Sequence, residues 1–232
     1  MDHPSPARQA YITQLSQLEN ELLEMASRSE AMVDRAVKAL VALDKTAAYD
    51  VMQEDDEIDR RDLEIEQQCL KLLALQQPIG SDLREIGTIM KIITDIERIG
   101  DLSVDIAKIG IKIDAEMGST SYVDVPRIAD VARQMMRGAI QAFVKRDVSS
   151  LDEITALEDE VDALYRDFRS QIHEYMVENP DQVISASWML LAIHHIERIA
   201  DHALNIAERV GFMVTGNLAQ LSHSHLSDSP EM

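Results

Sequence analysis

Several informative residue types are scarce in this sequence. Its 232 residues include a single cysteine, Cys69, so no disulfide can form within the chain. That thiol lies in an apolar run, 69–73, which predicts a buried side chain and fits a reducing compartment. Aromatic residues make up only 4%, and Leu, Ile, Ala, Met, Glu, Asp and Arg dominate. This composition indicates a helical protein with an aliphatic core.

Positive charge is also scarce. The chain has 22 Lys and Arg residues but 42 Asp and Glu residues, which gives a net charge of −20. Such a surface argues against a nucleic-acid partner, because little of it could neutralise phosphates. No apolar stretch approaches the roughly 18 residues that a membrane helix needs. The polar, proline-broken start of the chain, 1–6, does not resemble a secretory signal. We therefore expect a soluble, cytoplasmic protein without direct membrane insertion.

The sequence does contain long stretches with aliphatic residues at alternating spacings of three and four, which predict bundle helices. The first helix follows Pro6 and extends to about residue 43, before a polar turn at 44–46. Pro78 and Gly80 end the second helix, and Ser81 or Asp82 is expected to cap the third. A linker is predicted at 118–121. The remaining helices are predicted at about 47–77, 81–116, 126–146, 149–177 and 182–215.

One motif occurs twice. Ile-Glu-Arg-Ile, a small residue and Asp occupy 96–101 and recur, 100 residues later, at 196–201. Acidic stretches at 55–59 and 158–162 are related by a similar offset of 103 residues. This repetition predicts an all-α fold of two tandem, similar three-helix bundles with six long helices. The expected limits are 1–117 for the first repeat, 118–216 for the second and 217–232 for a disordered tail.

Aligning the repeats shows four acidic pairs at a spacing of four residues, which places both carboxylates of a pair on one helix face. The pairs are Asp55/Asp59, Glu97/Asp101, Glu158/Asp162 and Glu197/Asp201. In each repeat one pair lies on the second helix and one on the third, at similar distances from a short connecting turn, so they should meet. Four converging carboxylates need a compensating cation, and hard oxygen ligands favour Mg, Mn, Ca or iron.

Two alternatives need no metal. Acidic pairs on helices are often simply solvated, although four pairs in register disfavour this explanation. Arg98 and Arg198, which follow the Glu of each motif, are instead candidates for structural counter-charges. Three further side chains extend the acidic faces as weaker ligand candidates: Asp62, Asp105 and His194. His195 and His202 lie on other faces of the same helix and are assigned no role.

These residues give the chain its resemblance to a known family. The duplicated three-helix pattern, the stretch Leu-Ala-Leu-Gln-Gln-Pro at 73–78 followed by Asp-Leu-Arg, and the two Ile-Glu-Arg-Ile-x-Asp motifs resemble the PhoU family of bacterial phosphate-uptake regulators. All four acidic pairs match the family pattern by position. The departures are Ala200, where a glycine is usual, and Asn205, which replaces an acid.

The resemblance implies a cytoplasmic, commonly dimeric protein. It implies a negative regulator of phosphate uptake and of the phosphate-starvation response, which couples the ATPase subunit of the phosphate ABC transporter to a sensor histidine kinase. Some family members carry multinuclear iron or zinc on their acidic pairs, and others are metal-free.

The residues themselves offer no catalytic apparatus, since there is no glycine-rich phosphate loop, nucleophile elbow or kinase motif set. We therefore expect a non-enzyme. The alternative is a carboxylate-bridged metal-binding protein, either a metal or phosphate buffer or a di-iron-type enzyme. Di-iron bundles use Glu-x-x-His pairs, and no histidine here has a glutamate three residues before it, which disfavours the enzyme.

Overall fold

The structure is a computed structural model that describes residues 6–116, 118–217 and 221. Within these residues the chain forms six long α-helices, and a 3₁₀ turn, Pro180–Gln182, precedes the last of them. The helices are α1 (Pro6–Ala42), α2 (Lys45–Gln76), α3 (Ser81–Ala115), α4 (Val125–Lys145), α5 (Leu151–Glu178) and α6 (Val183–Thr215). All six predicted helices are confirmed, with ends within a few residues of those expected.

The turn between α2 and α3 differs from the prediction. Gly80, with φ of 60°, occupies the cap position of α3, and no side chain there accepts a hydrogen bond from the helix. The prediction that Ser81 or Asp82 caps this helix is therefore wrong. Asp82 lies inside the first turn, where its charge favours the helix N-terminus, and it forms an ion pair with Arg8 of α1.

The six helices form two three-helix units that share one hydrophobic core. Helices α1, α2 and α3 pack together, as do α4, α5 and α6, and the units join mainly through α3 against α6. The predicted fold class, two tandem and similar three-helix bundles, is confirmed. The predicted domain limits stay predictions, and most of the predicted tail lies outside the described residues.

Helices α3 and α6 run antiparallel along the central seam. Asp95 Oδ1 lies 2.9 Å from His202 Nδ1, and the Thr88 hydroxyl donates to the Arg209 carbonyl at 3.5 Å. Residues earlier in α3 therefore lie against residues later in α6. Because the motifs hold equivalent places in the two helices, the two copies of Ile-Glu-Arg-Ile cross near the middle of this seam. Their isoleucines are fully buried in the shared core.

A second seam joins α1 to α4 through charged side chains. Arg133 lies 3.0 Å from Glu30 and 2.8 Å from Asp34, and Arg137 contacts Glu30 as well. Glu30 and Arg133 are 103 residues apart, the offset that relates α2 to α5, and so are Asp34 and Arg137. Equivalent positions in the two repeats therefore carry opposite charges. This favours pairing of the first repeat with the second over pairing of like repeats.

Candidate functional site

The first acidic patch lies where α2 and α3 approach closely. Asp55 and Asp59 are on α2, Glu97 and Asp101 are on α3, and Gly100 lies between the helices. A Cβ atom on Gly100 would be only 3.0 Å from Asp55 Oδ1, tighter than nearly all real contacts of such atoms. The absence of a side chain at this position therefore lets the Asp55 carboxylate lie against the backbone of α3.

Mutual repulsion shows that the four acids of this patch share one electrostatic environment. Burial, followed by the charges of Asp59 and Asp101, raises the pKa of Asp55 to about 6. Burial also raises the pKa of Glu97. The charge of Asp101 raises it as well, whereas the charge of Arg98 lowers it. Asp59 also raises the pKa of Glu97. The structure thus brings together the four acids that the repeat pattern predicted for the first half.

The weaker candidates of the first half extend this patch along both helices. Burial, the charge of Glu66 and the charge of Asp59 raise the pKa of Asp62. Asp105 lies one turn beyond Asp101 on α3, and Lys108 approaches it at 3.5 Å. Asp62 therefore enlarges the region of uncompensated negative charge, whereas the charge of Asp105 is partly offset by its lysine.

Arg98 lies over the α3 side of the patch. Its Nη1 is 2.9 Å from Asp101 Oδ2, and its Nε is 3.4 Å from Glu97 Oε2. The guanidinium is about half exposed, so these contacts are worth at most about 1 kcal/mol each. They do not reach the Asp55 carboxylate on α2. Arg98 thus offsets part of the charge, and the α2 side of the patch keeps its raised pKa values.

Two carboxylate oxygens of the patch are buried without a hydrogen bond among the described residues, Asp55 Oδ1 and Asp62 Oδ1. Such oxygens have the donor chemistry that a hard cation prefers. In the described part of the chain, however, no group of three or more His, Cys, Asp or Glu side chains is close enough to hold a metal ion. The donor type fits a metal, but the side chains as placed do not form a ligand sphere among the described residues. The metal site stays a prediction.

The second acidic patch is the predicted set of four acids on α5 and α6. Glu158 is buried on α5, whereas Asp162 beside it and both Glu197 and Asp201 on α6 are half-buried. His194 adds a nitrogen to this face, because its Nδ1 is 2.9 Å from Glu197 Oε2, without the directionality of a hydrogen bond. Arg198, on the same helix, acts electrostatically on His195. Whether Arg198 also neutralises the acids stays a prediction.

The two patches differ at the helix crossing. Ala200 occupies the position equivalent to Gly100 and is buried. The second half thus has a methyl group at the position where the first half has the close approach of Asp55 to Gly100, and it has the longer Glu158 in place of Asp55. Asn205, which replaces an acid, donates from its amide nitrogen to Asp95 Oδ1 on α3 at 3.5 Å.

One polar contact between the two repeats could not be predicted from the sequence. His202, which had been assigned no role, pairs with Asp95 across the seam between the two repeats, and both side chains are largely buried. Asp95 belongs to neither acidic patch, so the expectation that His202 has no role in them stays a prediction. The pairing joins residues 107 positions apart on different helices, so no pattern within one helix could have indicated it.

A sizeable cavity between described residues lies away from both patches. Its volume is about 580 Å³, and it is a groove between α1 and α2 lined by charged and amide side chains, among them Glu24, Arg61 and Lys71. Arg61 bridges the groove to Glu24 at 2.8 Å. The groove contains none of the predicted ligands and is best explained as an ion-paired helix contact. Across the described residues, we find no helix that is both long enough and apolar enough to cross a membrane.

The fold and the site together define a class of duplicated helical proteins in which each three-helix repeat carries paired acids on its second and third helices. The family model of the PhoU domain matches this chain twice, at residues 22–110 and 125–210. The chain belongs to the PhoU family. Each of the two matched segments contains one of the two sets of predicted acids.

Individual relatives agree with this assignment. The chain is 32% identical over 216 residues to a phosphate-specific transport system accessory protein PhoU homolog of Clostridium acetobutylicum, covering 93% of this chain and 99% of that one. The crystal structure of PhoU from Pseudomonas aeruginosa matches with a TM-score of 0.85 and 33% identity, over 89% of this chain and 100% of that chain. The phosphate transport system regulatory protein PhoU of Streptococcus pneumoniae matches with a TM-score of 0.83 and 27% identity, over 90% and 99%.

Proposed function

We propose that this protein is a negative regulator of phosphate uptake and of the phosphate-starvation response. The observation that supports this most directly is the family match in both repeats, together with relatives named as phosphate transport accessory proteins that align over nearly the whole chain. It acts in the cytoplasm by binding other proteins and not as an enzyme. Its partners are the ATPase subunit of the phosphate transporter and a sensor histidine kinase, and it works as a homodimer.

Complementation tests this regulatory role. In a bacterium lacking its own family member, expression of the chain should repress starvation-induced phosphatase in high phosphate and restore controlled uptake of labelled phosphate. Co-purification of the tagged chain with the transporter ATPase and with the kinase tests each partner separately, and sedimentation tests the dimer. Unchanged phosphatase and uptake, with the protein present at normal levels, would contradict the proposal.

A second candidate function, metal binding, is favoured by the buried oxygens of Asp55 and Asp62 that have no hydrogen-bond partner among the described residues. We propose that the first patch binds iron or zinc, or alternatively Mg or Mn, and that the second patch binds more weakly. Bound metal would supply the positive charge that four neighbouring carboxylates lack. The role would be that of a metal or phosphate buffer, or of a di-iron-type enzyme if iron-loaded protein consumes oxygen.

Elemental analysis of untagged protein tests this metal site. The Glu97→Gln, Asp101→Asn variant should lose at least half of the bound metal. A matched variant, Glu160→Gln, Asp167→Asn, removes the same charge from exposed positions of α5 and should retain it. Equal metal content in the two variants would refute the metal site and leave the regulatory proposal unaffected.

A further inference from the structure

The outer face of α2 carries two large apolar side chains that no other described helix covers. Helix α2 packs against α1 and α3, which leaves its third side open to solvent. Leu63 and Leu70 lie on that side and are 56% and 50% exposed. Because they are seven residues apart, they share one helix face and are about 10 Å apart along the helix axis. Leu63 and Leu70 form the leucine face of α2.

The duplication provides an internal comparison for the leucine face. At the offset of 103 residues that relates α2 to α5, the positions of Leu63 and Leu70 are occupied by Arg166 and His173. Both of these side chains are exposed on a helix that is open to solvent in the same way as α2. The fold therefore does not require apolar residues at these positions. Burying the two leucines against a partner would be favourable, because it removes apolar surface from water.

A row of acids borders the leucine face on the side toward α3. It consists of Asp59, Asp62 and Glu66, which follow one another at spacings of three and four residues. Burial raises the pKa of Asp62, and the charges of Glu66 and Asp59 raise it as well, so the three acids repel one another. The equivalents of Asp62 and Glu66 in α5 are Tyr165 and Arg169. The acidic border, like the leucine face, is thus specific to the first repeat.

The other border of the leucine face has its charges paired within α2. Arg60 lies 2.6 Å from Glu57 and 2.5 Å from Glu64. A partner suited to this surface therefore has an apolar stripe for the leucines and positive charge along one side only. A second copy of this chain does not fit, because a two-fold contact through the same faces would set the acids of both copies against each other.

We propose that the leucine face binds an amphipathic helix of a partner protein, with the apolar stripe of that helix on Leu63 and Leu70 and its lysines or arginines along the acidic border. Two anchors seven residues apart match the spacing at which such a helix presents its apolar side chains. The charges orient the partner helix, because only one of its sides is basic. This assignment rests on the proposed regulatory function for the existence of a protein partner and adds the surface and the chemistry of the contact.

Fluorescence anisotropy with a synthetic helix and the full chain tests this docking site. The probe is a labelled peptide of about 18 residues with leucines at spacings of three and four, lysines along one side and glutamines elsewhere. EDTA is present, so that metal binding does not contribute. The Leu63→Ala, Leu70→Ala variant should bind the probe at least about tenfold more weakly than the wild type. The control Val177→Ala, Ile184→Ala, which shortens two exposed apolar side chains of the second repeat, should stay within about twofold.

A second pair of variants tests the acidic border. Glu66→Gln removes a charge beside the leucine face and should weaken binding of the probe about threefold at low salt. Glu160→Gln removes a charge from an exposed position of α5 and should leave the affinity unchanged. A probe with glutamates in place of its lysines should not bind. All of these substitutions lie at exposed positions, so native circular dichroism spectra are expected.

Equal affinity of the α2 variants and their controls would overturn the proposal, and so would equal binding of the glutamate probe. A wild-type dimer that dissociates in the Leu63→Ala, Leu70→Ala variant, as seen by sedimentation, would also overturn it, because a second copy would then occupy the leucine face. A wild-type chain that restores repression of the phosphatase but does not bind the lysine probe would refute the docking site and leave the regulatory proposal intact.

Discussion

At the scale of single residues, Gly110 sets how closely α3 approaches α1. A Cβ atom there would lie 3.0 Å from the Cα atom of Leu40, and that backbone atom cannot move without its helix. We expect Gly110→Ala to lower the free energy of unfolding by about 1–3 kcal/mol, since overpacking outweighs the better helix propensity of alanine. Urea denaturation followed by circular dichroism measures this.

Gly87 provides the matched control on the same helix. It is exposed, and a Cβ atom there would meet nothing within 4 Å. Gly87→Ala should raise the free energy of unfolding by about 0.5–1 kcal/mol, through helix propensity alone. If Gly110→Ala were as stable as Gly87→Ala, the close approach of α3 to α1 would be disproved.

At the scale of elements, the charged seam between α1 and α4 makes the two repeats complementary. Replacing Glu30 and Asp34 by arginine would set four arginines against one another, and we expect a loss of about 2–4 kcal/mol of stability. The fourfold swap, which also changes Arg133 and Arg137 to glutamate, should return to within about 1 kcal/mol of the wild type, because unlike charges face each other again. Thermal and urea denaturation at low salt measure both variants.

Salt provides the control for this seam. In about 1 M NaCl the Debye length is close to 3 Å, so the penalty of the two-residue variant should shrink markedly. A fourfold swap no more stable than the two-residue variant would show that packing, and not charge, governs the contact.

At the scale of the whole molecule, several acids bind protons more tightly in the folded chain than ordinary carboxyls do. The pKa of Asp55 is raised to about 6 and that of Glu85 to about 7, and those of Asp62 and Glu97 are also raised, in each case chiefly by burial. The folded state therefore holds more protons than the unfolded state between about pH 4.5 and 7. Stability should be greatest near pH 5 and fall as the pH rises toward 8.

Denaturation at pH 5 and pH 8 measures this slope. One pKa unit corresponds to about 1.4 kcal/mol, so a total difference of a few kcal/mol is expected. Asp55→Asn should reduce the difference, because an amide cannot ionise. Stability that rises from pH 5 to pH 8 would contradict the raised pKa values. Below about pH 4 the trend should reverse, since ion-paired acids such as Asp34 have lowered pKa values and lose their partners on protonation.

Much of the fold was predictable from the sequence, because a helix is indicated by the spacing of apolar residues within its own segment. Alternating apolar spacings predicted all six helices, and the duplicated motif predicted two similar bundles. The cap of α3 was missed because Ser81 and Asp82 have good capping chemistry, whereas the turn requires the positive φ that Gly80 adopts. The acids of the first patch were predictable, since residues four apart share a face and a short turn makes neighbouring helices antiparallel.

By itself, then, the sequence determined the helices, the repeat and the meeting of acids in the first half, all of which follow from helical periodicity and chain connectivity. Only the tertiary structure decided how the halves meet. Contacts such as Asp95 with His202 and Arg146 with Glu85 join side chains far apart in the chain. Their burial, which sets their electrostatics, depends on helices packing from both repeats at once, and no local pattern encodes it.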